Sequence, residues 1–239
     1  MGAETGGLTQ TAVGKPLILV SPAAGFGHWA ESYDDWPNPL VALEERVLAD
    51  MPIVAGQRFL DAGTGTGRWL KRAIIAGARG CGVDGSEPML RVAAGDVRLS
   101  RRLVRGDMRA LPFADDSFDL AVCSLALGYI DTPAAALSEL ARVSSRIVIS
   151  ELHGAAVAAG WTRSFRARGE RYEIAHYDHR PEELQRIMSD AGFSGDWFRE
   201  ATFGAPEREI FEAAGKGSGF EQLARTPALF AMSWTRQCV

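Results

Sequence analysis

Between residues 39 and 51, Leu40, Leu43, Val47, Leu48 and Met51 recur at the spacing of one helix face. That period predicts an amphipathic helix, and Pro37 and Pro39 stand where a helix start tolerates them. From residue 58 the texture changes to short apolar runs alternating with helical periods. A strand is predicted over 58–61, then a helix through Trp69, Leu70, Ala73, Ile74 and Ile75 that stops at Gly77. A second strand follows over 80–84, and Ser86 stands as N-cap of a helix through Met89, Leu90 and Val92. Residues 103–104 predict a third strand, 118–123 a fourth, 134–143 a helix and 147–149 a fifth strand. Strands alternating with helices make βαβ units and a mostly parallel sheet, so the expected class is α/β.

After Glu151 the alternation breaks. Residues 152–180 carry Trp161, Phe165, Tyr172, Tyr177 and three of the four histidines. They read as an insertion after the fifth strand, a place where substrate-facing residues often sit. A helix is predicted from Pro181 to Ala191, and two further strands near 198–203 and 229–234. Residues 1–14 read as a flexible leader and 15–239 as one domain, with 26–57 as lead-in helices and 58–150 as its core. Leu17 to Val20 is an apolar run that adds a strand, packs on the lead-in or makes a dimer contact; the pattern does not choose.

A chain of 239 residues, 46% hydrophobic and 23% charged, has the make-up of a globular protein with a core of its own. Its net charge of −4 argues against tight nucleic-acid binding, which concentrates Lys and Arg. Arg98, Arg101, Arg102, Arg105 and Arg109 flank Asp96 and Asp107, and read as a paired, solvated surface. Cys81, Cys123 and Cys238 are odd in number and widely spaced, and Cys81 and Cys123 lie in apolar strands as core. A reducing, cytoplasmic setting is expected. No apolar run approaches the length of a membrane span.

The chemistry concentrates at Asp61-Ala62-Gly63-Thr64-Gly65-Thr66-Gly67. Glycines after a parallel strand allow a sharp turn and close approach of a ligand, and the helix that follows offers free N–H groups. The dinucleotide spacing G-x-G-x-x-G fails in both registers, because Arg68 and Leu70 stand where its third glycine belongs. Asp84, ending the second strand, suits the two hydroxyls of a ribose. Gly106-Asp107-Met108, after the third, suits an adenine: a carboxylate for the exocyclic amine and a thioether for the ring.

These motifs, with Leu111-Pro112-Phe113-x-Asp115-x-Ser117-Phe118-Asp119, resemble those of class I S-adenosylmethionine-dependent methyltransferases. The nearest subgroup is the small-molecule type of ubiquinone and menaquinone biosynthesis. The likeness covers about residues 26–150, and less strongly 181–193. It implies a Rossmann-like fold with a seven-stranded sheet, helices on both faces and N-terminal lid helices. It implies S-adenosyl-L-methionine as cofactor, with Asp61 near the methionine amine and Gly63, Thr64 and Gly65 contacting methionine and ribose through backbone. Asp84 would bind the ribose, Asp107 and Met108 the adenine, Ser124 would place its backbone near the methionyl amine, and Met89 belongs to the same cofactor-binding set. Tyr33 matches a lid tyrosine that closes over the cofactor.

Relatives often have a histidine-rich turn after the fourth strand, where Leu127-Gly128-Tyr129-Ile130 stands here. A general base therefore has to be sought elsewhere, and histidine is the first type to consider near neutral pH. His153, at the end of the fifth strand, is the first catalytic candidate, against the alternative that it caps or packs beneath the insertion. Tyr129 is the second: it lines the pocket, hydrogen-bonds the nucleophile or packs. His28 reads as a solvated loop residue. His176 and His179 have metal-like spacing without a further ligand cluster, so no metal is expected. Trp161, Phe165, Tyr172 and Trp197 make either an aromatic pocket or the glue under the insertion.

The expected activity is methyl transfer to a small, aromatic or quinone-like acceptor, on oxygen or carbon rather than nitrogen. The expected partner is that acceptor, with no nucleic acid and no membrane, and a homodimer stays open. The alternatives are a regulatory module that binds S-adenosylmethionine without chemistry, and a protein methyltransferase.

Overall fold

The computed structural model describes residues 16–215 and 217–237; the leader and Cys238 lie outside them. The strands are β1 (Leu17–Val20), β2 (Arg58–Ala62), β3 (Arg79–Asp84), β4 (Leu103–Arg105), β5 (Leu120–Ser124), β6 (Arg146–Leu152), β7 (Ser164–Ala167), β8 (Glu170–Ile174), β9 (Phe193–Ala201) and β10 (Leu229–Arg236). The helices are α1 (Pro22–Trp29), α2 (Pro39–Val47), α3 (Arg68–Ile75), α4 (Glu87–Ala94), α5 (Pro133–Val143), α6 (Gly154–Ala158), α7 (Pro181–Asp190), α8 (Ala205–Ala213) and α9 (Gly217–Leu223).

Seven strands form one sheet in the order β4-β3-β2-β5-β6-β10-β9, in which β2 to β6 run parallel and β10 runs antiparallel to both its neighbours. Alternation along each parallel strand sorts side chains to opposite faces. Leu60, Ala62, Ala121, Cys123, Ile147 and Ile149 face α5 and α7 through Leu137, Leu140, Leu184 and Met188. Phe59, Leu120, Val122 and Val148 face Leu48, Met51, Trp69 and Ala73. The strand order reverses direction between β2 and β5, which opens a crevice at their carboxyl ends, the usual ligand site of an open α/β sheet.

The strand of 17–20 is real, but joins a second, three-stranded sheet of order β1-β8-β7. The segment 152–180 folds as α6 and the antiparallel β7–β8 pair, with Val20 reaching the end of β8. Asn38 caps α2, accepting from Leu40 N at 3.0 Å, and the helix stops at Val47, short of Met51. Ser86 holds the N-cap position of α4, but its buried hydroxyl has no partner among the described residues. Asp84 takes over its loop, accepting from Ser86 N at 2.7 Å. Helices α8 and α9 have no counterpart in the sequence reading; Phe211, Phe220 and Leu223 pack them with Leu40 and Leu43.

Candidate active site

The loop after β2 is built around Asp61. Gly67, at the N-cap of α3, has no side chain to hold the helix's orphan N–H groups. Asp61 reaches across instead: one carboxylate oxygen accepts from Leu70 N at 2.9 Å and from the Thr64 hydroxyl at 2.7 Å. Burial pushes its pKa from 3.8 up to about 6, against those hydrogen bonds, so it is still ionised at neutral pH. Gly63, at φ +75, brings the chain so close to the neighbouring turn that a Cβ would lie 2.5 Å from that of Ala126. Only glycine meets both demands.

Asp84 ends β3 and accepts from Gly65 N at 2.8 Å, tying the glycine loop to the next strand. A carboxylate has about four acceptor positions, so two remain for hydroxyls beyond Gly65 N and Ser86 N. Burial raises its pKa. Met108 is buried, with its sulfur 3.7 Å from the Cys123 thiol and its methyl facing Gly63. Asp107 is different: it is exposed, and Arg109 holds its carboxylate at 2.7–3.1 Å and lowers its pKa. An adenine amine there competes with a guanidinium. Met89 is buried on α4.

A cleft of about 50 Å³ runs between Asp61, Gly63, Thr64, Gly65, Ser124, Leu125 and Tyr33. It shares Tyr33, Val41, Thr66 and Arg68 with a wider one of about 280 Å³ toward Trp36 and Asn38. The lid side is anchored by Glu44, fully buried on α2. Its carboxylate accepts from Ser124 Oγ and Ser150 Oγ at 2.5 Å and from Trp69 Nε1 at 3.3 Å, and pairs with Arg68. Glu44 was legible as an anomaly: a charge on the 40-43-47 face that the period assigns to the core. Tyr33 follows the short 3-10 turn Ala30–Ser32 and is half-buried. Burial and the nearby Tyr129 push its pKa up, against Arg68 and Arg163.

Neither catalytic candidate lines the clefts, but Tyr129 is tied through Arg163 to Leu125, which does. Tyr129 packs edge-on to Phe26, with ring centroids 4.8 Å apart, and its hydroxyl accepts from Arg163 at 2.9 Å. His153 caps α6, its Nδ1 accepting from Ala155 N at 3.0 Å, while Nε2 meets Glu200 at 2.8 Å. Both ring nitrogens are engaged, and His153 lines neither cleft. It stands on the side where β6 meets β10, because the strand carries it three residues past Ser150. His28 is not in a loop but in the last turn of α1, stacked 5.1 Å from Tyr172. His179 Nε2 lies 2.8 Å from the Ile130 carbonyl. Among the described residues no three His, Cys, Asp or Glu side chains gather as a metal site.

The four singled-out aromatics divide. Trp161 packs on Phe203 and Phe211 as glue, and Trp197 lies under Arg199 on β9. Phe165 and Tyr172 instead face the lid, where Trp29 stacks on Phe165 at 4.6 Å with rings 3° from parallel. Arg98 pairs with Asp96 and Arg105 with Glu87, as a paired surface requires.

Residues 60–146 match the model of the methyltransferase domain. A demethylmenaquinone methyltransferase of Roseiflexus sp. is 34% identical over 172 residues, 62% of this chain and 72% of that one. The chain belongs to the class I S-adenosylmethionine-dependent methyltransferases. A malonyl-[acyl-carrier protein] O-methyltransferase of Pectobacterium atrosepticum is 35% identical over 122 residues, about half of each chain (51% and 48%). The fold matches that of an S-adenosylmethionine-dependent methyltransferase from Mesorhizobium loti, with a TM-score of 0.62 and 24% identity over 82% of this chain and 100% of that one. The methyl donor of this family fits the residues present. The cradle at Gly63 has no room for a Cβ, and Asp61 is an ionised acceptor for an ammonium. Asp84 has acceptor capacity to spare at the ribose position. No helix among the described residues is long and apolar enough to cross a membrane.

Proposed function

We propose that this methyltransferase transfers the methyl group of S-adenosylmethionine to a small aromatic or quinone-like acceptor, on oxygen or carbon. The observation that carries the reading is the aromatic wall between lid and insertion. Trp29, Phe165 and Tyr172 stack in sequence, Phe26 meets Tyr129, and Tyr33 joins that wall to the cofactor cleft. A flat ring matches stacked ring faces. The relatives support a small-molecule or carrier-borne acceptor: one is a demethylmenaquinone methyltransferase and one a malonyl-[acyl-carrier protein] O-methyltransferase.

The bound cofactor supplies a methyl carbon already activated for in-line displacement, so the protein's work is positioning and exclusion of water. Asp61 holds the amino end, with Ser124 beside it. Gly63, Thr64 and Gly65 present backbone to the methionine and ribose, and Asp84 takes the ribose hydroxyls. Met108 and Met89 form the apolar side of the adenine site, and Asp107 its polar edge. Tyr33 closes the cleft, and Tyr129 forms the acceptor wall. We assign His153 to the corner between β6 and α6 rather than to proton transfer, since its nitrogens are already engaged. Residues 15–239 work as one domain in this reading, with 152–180 facing the acceptor.

The test is incubation with S-adenosylmethionine labelled on the methyl group and a panel of naphthols, phenols, carboxylic acids and amines. Label transfer to the oxygen and carbon acceptors is expected. Transfer to amines alone, or to a protein substrate alone, would contradict the reading, and cofactor binding without any transfer would favour a regulatory module.

A further inference from the structure

Arg163, between α6 and β7, is 8% exposed. A guanidinium carries five N–H donors, and a buried one must place them. Nη1 donates to the Leu125 carbonyl at 3.1 Å and to the Tyr129 hydroxyl at 2.9 Å, and Nη2 pairs with Glu151. Nε is buried and has no partner among the described residues. Glu151 does not use up the cation alone: its two oxygens also accept from Gly128 N at 2.6 Å and Leu152 N at 2.8 Å. Arg163 shares that unpaired Nε with Arg146 and Arg236, but it alone of the three is 8% exposed and grips a residue of the cofactor cleft.

The surroundings name the ligand's chemistry. The Tyr129 hydroxyl spends its acceptor capacity on Arg163, so its own proton is left to donate. Burial pushes the pKa of Tyr129 and of Tyr33 up, so both phenols stay protonated donors at neutral pH. Arg163 lies 4.6 Å over the Tyr129 ring. Leu125, whose carbonyl Arg163 grips, lines the cofactor cleft beside Ser124 and is held at φ +51. A residue other than glycine in that conformation is strained backbone of the kind that gathers at working sites. Cationic and hydroxylic donors thus converge where the lid, the turn after β5 and the insertion meet.

The geometry points to an oxyanion subsite: Arg163, Tyr129 and Tyr33 receive an ionised oxygen of the acceptor, which is therefore a carboxylate or an acidic phenol or enol. This rests on the methyltransferase reading above and narrows its substrate class. It also removes the need for a histidine base. An acceptor that arrives ionised has no proton to lose. Its oxygen forms the new bond to the methyl carbon as the carbon–sulfur bond breaks, and that electron pair stays on sulfur.

The test uses the full chain loaded with S-adenosylhomocysteine and a matched pair of flat probes, 2-naphthoate and 2-naphthamide, titrated calorimetrically near neutral pH. Naphthoate is expected to bind at least about tenfold more tightly, the scale of a charge-assisted contact. Arg163→Lys, which keeps the charge opposite Glu151 but loses the fork, should erase most of that preference. Tyr129→Phe, which leaves the ion pair in place, should erase part of it, and serves alone if the lysine variant misfolds. The affinity for S-adenosylhomocysteine should stay within about twofold in both, a readout a folding defect would move. If the wild-type protein binds S-adenosylhomocysteine but neither probe, or both equally, the subsite is overturned and the methyltransferase reading stands. Failure to bind S-adenosylhomocysteine overturns both.

Discussion

Asp61 is a buried carboxylate that caps α3, and its ionisation opposes folding. Its pKa rises from 3.8 in the unfolded chain to about 6 in the folded one, so the folded state binds the proton more strongly. Its contribution to stability therefore falls as pH rises from about 4 to 6, and the full cost of the charge is present above that window. Asp61→Asn keeps an oxygen for Leu70 N, and should melt higher than the wild type at about pH 7.5, by an equivalent of roughly 3 kcal/mol at most. The gap should close toward pH 4, and a gap independent of pH would contradict the assignment. Asp84→Ala should weaken S-adenosylhomocysteine binding by roughly 10- to 100-fold in calorimetry, the cost of leaving buried hydroxyls unpaired. Unchanged affinity would move the ribose elsewhere. Gly63→Ala forces its Cβ against Ala126 at a positive φ, and should lower both the melting temperature and the affinity for the cofactor product.

At the scale of elements, one fully buried charge ties the lid to the sheet, beside the Arg46–Glu207 pair at its far end. Glu44 joins α2 to Arg68 and Trp69 of α3 and to Ser124 and Ser150 at the ends of β5 and β6. Removing one partner of a buried pair costs about 3 kcal/mol or more, so Glu44→Ala should lower the melting temperature by roughly 6–12 °C in calorimetric scans. A shift within a degree or two would mean that α2 holds its place without this charge, by its apolar face and the Arg46–Glu207 pair. The βαβ core from 58 to 149 was legible because each parallel strand is a short apolar run and each helix keeps its period. Asp61, Asp84 and the glycine loop were legible for the same local reason. Arg163 was not, since one arginine in a broken pattern looks like any surface arginine until β7 and β8 bring it under Tyr129. The place of His153 was not legible either, because the end of a strand predicts an edge of the sheet, not which neighbour the side chain turns to. Helix α8 escaped because its nine residues carry only Ile210 and Phe211 as large apolar side chains, and α9 because Gly217 and Gly219 open it.

At the scale of the molecule, the strand order that reverses between β2 and β5 explains why residues far apart in the chain share one cleft. Asp61 ends β2, Ser124 ends β5, and Tyr33 arrives from the lead-in. Tyr33 lines that cleft and packs on Trp29, which links the cleft to the aromatic wall of lid and insertion. The central claim is that this cleft takes a sulfur-bearing nucleoside and not a dinucleotide. Its most direct test is calorimetric titration of the purified protein with S-adenosylmethionine, S-adenosylhomocysteine and NADH. Micromolar binding of both sulfur compounds and none of NADH is the predicted result, whereas binding of NADH alone, or of none of the three, would contradict the account.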